Sequence, residues 1–174
     1  MSTLAPPGAT AKRLKPEIEE LFHEHSTMLY RTAYSMLGNS ADAQDVVQTI
    51  FLRLLRREIP ANVENIGAYL YRAAVNSSLN AIRDRKRVDL MADTETLDVP
   101  DENHESSSAL GAFRRLTDAI ADLSSGDAQV LILRYVHNHT DAEIARLLGV
   151  SRGTISMRLF RSRLRLKKLM GEER

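Results

Sequence analysis

From Lys15 to Arg87 apolar residues recur at three- and four-residue spacing with no sustained alternation, a pattern that predicts helices and not strands. Leu21, Phe22, Leu29, Ala33, Met36 and Leu37 mark a first helix, running from about Pro16, suited to a first turn, to Gly38, suited to a C-cap. Ser40 is placed to N-cap a second helix with the stripe Val46, Val47, Ile50, Phe51, Leu54 and Leu55, and Pro60 closes it. A third begins near Asn65, carries Ala68, Tyr69, Tyr71, Ala74, Val75, Leu79 and Ile82, and ends in the basic run Arg83, Arg85, Lys86 and Arg87. Three such amphipathic helices make a small bundle.

Residues 88–112 lose the period and gain Asp, Glu and Ser, which predicts a mobile linker. Periodicity resumes with Phe113, Leu116, Ile120 and Leu123 on one stripe and, after a break at Ser124 to Asp127, Val130, Leu131, Leu133 and Val136 on another. Two further helices are expected from Asp141 and Ser151. The expected fold is all-α: a disordered tail (1–15), one helical domain (16–87), a flexible acidic linker (88–112) and a second helical domain (113–170).

Within the second domain, residues 140–160 read TDAEIARLLGVSRGTISMRLF. A helix-turn-helix needs a small residue where two helices cross closely, a turn that often holds Gly, and apolar anchors on both helices. Ala145, Gly149 and the set Ile144, Leu148, Val150, Ile155 and Leu159 supply them. Ser151 is the expected N-cap of the second helix, whose first turns are where base edges are met. With Ile155 inward, Gly153, Met157, Phe160 and Arg161 point away from the core, with Thr154 and Ser156 at the edges. Phe160 suits a thymine methyl, with packing against a neighbouring helix as its alternative, and Arg161 suits guanine or a phosphate. Arg158, Arg163, Arg165, Lys167 and Lys168 suit phosphates, which give affinity without sequence choice.

Charge sharpens this picture. The net formal charge of the 174 residues is only +1. Yet Asp89 to Glu105 holds seven acidic residues and no Lys or Arg, whereas Ser151 to Arg174 holds eight basic residues against Glu172 and Glu173. Two basic bodies flank an acidic connector, although any such run taken alone is equally read as a solvated face. With no Cys, disulfides, thiolate zinc sites and thiol nucleophiles are excluded, and a reducing cytoplasm suits the chain. No signal-peptide run and no stretch of about eighteen apolar residues is present, so neither secretion nor membrane insertion is expected.

Four stretches in order, DAQDVVQTIFLRLLRR at 42–57, NIGAYLYRAAVNSSLNAIRDRKR at 65–87, AIADLSSGDAQVLILRYVHNHTDAEIARLLGVS at 119–151 and RGTISMRLFRSRLRL at 152–166, give a chain that resembles the extracytoplasmic-function class of bacterial sigma factors from about residue 17 to 170. The resemblance implies a first domain that binds core RNA polymerase and captures the minus-ten element as melted strand, and a second that reads the minus-thirty-five element as duplex. The polymerase face implied on the second helix is Asp45, Gln48, Thr49, Leu52, Arg53 and Arg56. The strand face implied on the third is Tyr69, Arg72, Asn76, Asn80, Arg83, Arg85 and Arg87, where bases stack on aromatics such as Tyr69 and Tyr71, bond amides and lie near cations. Arg57 to Asn65 corresponds to the loop for a flipped base. The acidic tether corresponds to the segment that threads the polymerase, with a solubilising tether as the alternative. The residues implied for the minus-thirty-five duplex are Arg152, Thr154, Ser156, Met157, Arg158, Phe160, Arg161 and Arg163.

Thr49 stands where family members commonly carry an acid, Tyr69 where they carry Trp, and Ser156-Met157 where they carry Lys or Arg followed by Ser. The first affects one polymerase contact, and the last implies an unusual minus-thirty-five preference. Expected partners are core RNA polymerase, promoter DNA and, from the family, an anti-sigma factor. A regulator that uses the same helix-turn-helix without joining polymerase is the alternative, and it leaves the first domain unexplained. His23 with His25, and His137 with His139 and Asp141, are spaced as weak metal sets without a further ligand, so no catalysis, metal or cofactor is expected.

Overall fold

The structure is a computed structural model, and it describes residues 9–56, 63–95 and 109–171. The described elements are helices α1 (Ala9–Leu37), α2 (Ser40–Leu55), α3 (Ile66–Glu95), α4 (Ala109–Ala121), α5 (Ser125–Tyr135), α6 (Asp141–Leu148) and α7 (Arg152–Leu169). Helices α1, α2 and α3 pack on one another, and α4 to α7 form a second group docked along α3.

Helix boundaries follow from capping chemistry. At the start of α2 the Asn39 side chain, not that of Ser40, accepts from the Asp42 N–H at 2.8 Å. The expected cap was one residue late, and either residue type satisfies an orphan N–H. Asn65 does the same for α3 by accepting from the Ala68 N–H at 2.9 Å. Ser124, Thr140 and Ser151 cap α5, α6 and α7, and Thr140 with Glu143 forms a reciprocal capping box. Bonding from the Thr140 backbone and side chain holds the Glu143 carboxyl below its ordinary range.

The helices also run further than the pattern of apolar residues. Helix α1 is already formed at Ala9, before Pro16. Helix α3 continues past Arg87 to Glu95, and α4 begins at Ala109, so both ends of the segment expected as linker are helical. Asp89 and Arg114 pair across that gap at 2.7 Å. The tail before Ala9, the Pro60 stop with most of the 57–65 loop, and the acidic stretch 96–108 lie outside the described residues.

One continuous apolar cluster runs through both groups of helices, from Leu29, Ile50 and Leu79 in the first to Leu123, Leu133, Ile144 and Ile155 in the second. Burying each such side chain contributes about 1.5–3 kcal/mol. The stripe of α2 holds except at its end, where Leu54 is buried and Leu55 is half exposed. Adjacent positions lie about 100° apart around a helix, so at the end of α2, where Leu54 takes the inward position, Leu55 is turned towards solvent. In α4, Thr117, Ala119 and Ala121 are the buried residues, whereas Leu116 stays partly exposed. Phe113 lies across Gly38, whose φ of +75° ends α1; a Cβ there would come within 2.6 Å of the Phe113 ring. That glycine therefore both turns the chain and admits the second group of helices.

Candidate nucleic-acid interface

Helices α6 and α7 cross as the sequence predicts. Ile144, Leu148, Ile155 and Leu159 are buried anchors, Ala145 is buried at the crossing, and Gly149 ends α6 at φ +68°, a left-handed conformation that favours glycine. The opposite side of α7 is open. Arg152, Gly153, Ser156, Met157, Phe160 and Arg161 are exposed, with Phe160 at 63%, so its ring does not pack against a neighbouring helix. Thr154 is half-buried and bonded to the Ser151 hydroxyl at 2.8 Å. Arg158 is half-buried beside a shallow cleft of about 550 Å³ that it shares with Asp127, Met157 and Arg161. The Arg163 guanidinium sits 5.8 Å from the centroid of the Tyr135 ring, a cation–π contact that leaves the side chain exposed. All eight residues expected for duplex DNA thus lie on one helix, most of them on its solvent side.

The set on α3 has a different setting. Tyr71 is fully buried, and its hydroxyl donates to the Gln129 carbonyl at 2.6 Å, so it is no platform for a base. Burial pushes its phenol well above the usual range. Tyr69 is half-buried against the core. The polar members of the set meet the second group of helices. Arg72 donates to the Leu148 carbonyl at 3.0 Å, and Arg83 donates to the carbonyls of Ala121 at 2.9 Å and Leu123 at 3.3 Å. Arg85 pairs with Asp118 at 2.9 Å, Lys86 pairs with Asp122 at 2.9 Å, and Asn76 bonds the Ser125 hydroxyl. Asn80 is exposed, and Arg87 is exposed and paired with Asp84. A face rich in donors is therefore met by the carbonyl ends of α4 and α6 and by two carboxylates.

On α2, Asp45, Gln48, Thr49, Leu52, Arg53 and Arg56 are all exposed and share one side. Leu55 and Phe22, both taken as core in the sequence, add to that neighbourhood at 53% and 45% exposure. Phe22 meets Phe51 edge-on at 4.9 Å. Together with Leu52 they give this end of the molecule an apolar surface that a single exposed Leu did not announce.

The histidines that the sequence offers as two separate pairs come together in part. His25, His137 and His139 line one cavity of about 170 Å³ between the two groups of helices. His137 Nε2 lies 2.8 Å from the Thr32 hydroxyl, and its ring stacks on His139. Burial, then the charges of Arg31 and His139, lowers the His137 pKa to about 4. Among the described residues no group of three His, Asp or Glu side chains is placed to hold a metal ion, and no helix is long and apolar enough to cross a membrane.

Comparison with known proteins fits this geometry. Residues 21–88 match the Sigma-70 region 2 family and residues 113–166 match Sigma-70, region 4. The chain is 32% identical to the RNA polymerase sigma-E factor of Streptomyces antibioticus, over 87% of this chain and 83% of that protein. It is 31% identical to the ECF RNA polymerase sigma factor SigE of Mycolicibacterium smegmatis, over 90% of this chain, and it spans 63% of the length of that relative. In fold it resembles the sigma factor RpoE in its complex with the anti-sigma factor NepR from Bartonella quintana, with a TM-score of 0.51 at 22% identity, covering 91% of this chain and 99% of that one. It also resembles CnrH in complex with the cytosolic domain of CnrY, with a TM-score of 0.51 at 20% identity, covering 94% of each chain. The chain belongs to the extracytoplasmic-function (ECF) class of bacterial RNA polymerase sigma factors.

Proposed function

We propose that this protein is an alternative sigma factor that binds core RNA polymerase through the exposed side of α2, reads the minus-thirty-five element as duplex with α7, and holds the melted minus-ten strand on α3. The observation that carries the reading is the outward side of α7, where Ser156, Met157, Phe160 and Arg161 form an exposed stripe opposite the buried anchors of the helix-turn-helix, the side of such a helix that suits a DNA groove. The polymerase surface is Asp45, Gln48, Thr49, Leu52, Arg53 and Arg56, enlarged by Leu55 and Phe22. An apolar patch rimmed by charge suits a partner helix.

Opening of the duplex needs no hydrolysis in this scheme, because a protein that binds separated strand better than paired strand shifts the equilibrium towards it. The protein then works in the cytoplasm without catalysis. The strand face of α3 is occupied by α4 and α6 in this arrangement, so strand capture follows separation of the two groups of helices. One of the similar structures is a sigma factor in complex with an anti-sigma factor, which supports an anti-sigma partner for this chain as well.

The test is transcription by the purified protein with core polymerase on a panel of genomic promoters. RNA synthesis from a small subset, with co-elution of protein and core enzyme, is the expected result. Failure to co-elute combined with retained duplex binding would favour a regulator that acts without joining polymerase.

A further inference from the structure

Ser156 departs from the habit of serines inside helices. Such a hydroxyl usually bonds back to the carbonyl four residues earlier, as Ser162 does to Arg158 at 2.6 Å and Thr32 does to Met28 at 2.9 Å. The Ser156 hydroxyl instead donates across the turn to Asp141 Oδ2 at 2.7 Å. Asp141 itself is well fixed. It stands in the first turn of α6, behind the capping box of Thr140 and Glu143, and its other oxygen lies 3.7 Å from Arg134. A carboxylate beside a surface meant for phosphates works against affinity, so its presence on this helix pair asks for a compensating role.

We infer that Asp141 fixes the hydrogen-bond polarity of Ser156, making it a reader of base amino groups in the major groove. This rests on the duplex-reading role proposed for α7. A free serine hydroxyl donates or accepts and so tolerates any base edge. With its only proton committed to Asp141, Ser156 offers lone pairs alone to the groove. It then accepts from adenine N6 or cytosine N4 and opposes guanine O6 and N7 and thymine O4, which are acceptors themselves. Met157 and Phe160 beside it are apolar, at 51% and 63% exposure, and suit a neighbouring thymine methyl. Asp141 is a positioning residue here, since it acts through the serine.

The experiment selects duplexes from a pool randomised over the minus-thirty-five element, using the full chain assembled with core polymerase. The wild type should favour adenine or cytosine at one position by about three- to tenfold, the discrimination a single hydrogen bond supplies. S156A should flatten that position and no other, which identifies it. D141A, which leaves the serine in place, should flatten the same position, and the double variant should be no flatter than S156A. A wild-type preference for guanine or thymine at the position that S156A alters, or a preference that survives D141A, overturns the inference. A clear motif that neither substitution alters overturns it while leaving α7 as the reader. Absence of any motif takes down the duplex-reading proposal with it.

Discussion

The two surfaces proposed to meet promoter DNA differ in what the folded chain has done with them. The outward side of α7 carries an exposed phenylalanine, a methionine and an arginine, and among the described residues no other helix covers them. The polar face of α3 carries comparable cations, and four of its residues, Arg72, Asn76, Arg83 and Arg85, are bonded to carbonyls, a hydroxyl or a carboxylate from the second group of helices. A duplex is a rigid partner read by a convex helix, and such a helix can stay ready without rearrangement. A single strand demands loose donors and aromatic surface, and donors of that kind bond any nearby acceptor, including the orphan carbonyls at helix C-termini. The comparison predicts that variants of α7 change DNA binding directly, whereas variants around α3 act first through the arrangement of the two helical groups.

The largest effect is expected at α7. Each good base contact contributes about 1–3 kcal/mol of discrimination. The F160A/R161A double variant should therefore bind a minus-thirty-five duplex on the order of a hundredfold more weakly by electrophoretic shift as holoenzyme. Its association with core polymerase, followed by co-elution, should not change, because both side chains are exposed and lie far along the chain from the α2 surface. Loss of both activities together would show that the helix serves another purpose.

A smaller effect of opposite sign is expected at the covered face. The pairs Arg85–Asp118 and Lys86–Asp122 are about one-third to one-half exposed. Exposed pairs of this kind contribute about 0.2–1 kcal/mol each. D118K/D122K leaves every cation of α3 in place while replacing two attractions by two repulsions, so binding of a minus-ten single strand by the free protein should rise about fivefold. Solution scattering should report a larger radius for the same variant. A tighter complex without expansion, or expansion without tighter binding, would separate the covering of α3 from its proposed use.

The helix-turn-helix was legible in the sequence because each of its parts has a local signature. Ser151 announces a helix start, Gly149 the turn, and the three- and four-residue spacing of Ile144, Leu148, Ile155 and Leu159 the buried side. The outward positions followed from that geometry alone. The covering of α3 was not legible, because its main acceptors are the backbone carbonyls of Ala121, Leu123 and Leu148, which any sequence supplies at a helix end. Only tertiary docking decides which cations they meet. One signal was present: Asp118 on α4 and Asp122 just past its end stand four apart, the spacing that puts two carboxylates on one side of a helical turn. Phe22 and Leu55 were misplaced in the core because adjacent apolar residues in a periodic stretch leave their relative facing open, and Leu54 takes the inward position, whereas Leu52 was placed outward and is exposed.

The smallest effect is a pH dependence of the covering itself. His137 sits where the two groups of helices meet, with the Thr32 hydroxyl at its Nε2 and the Tyr71 ring edge-on. The charged or titratable side chains around it are Arg31 and His139, with His25 across the same cavity. Its pKa of about 4 lies below the ordinary histidine value of 6.5, so the packed arrangement favours the neutral ring. Separation exposes the ring and restores the ordinary value, and the separated form then binds the proton more readily. The contribution of this residue to packing is therefore fully present above pH 6.5 and declines as the pH falls towards 4, beyond which no further loss arises from this group. Solvent reaches part of the ring, so the loss is modest. H137Q keeps a hydrogen-bonding side chain beside Thr32 and removes the titration, and it should flatten this part of the scattering profile between pH 6.5 and 4. An unchanged slope in H137Q would show that the dependence does not come from this histidine.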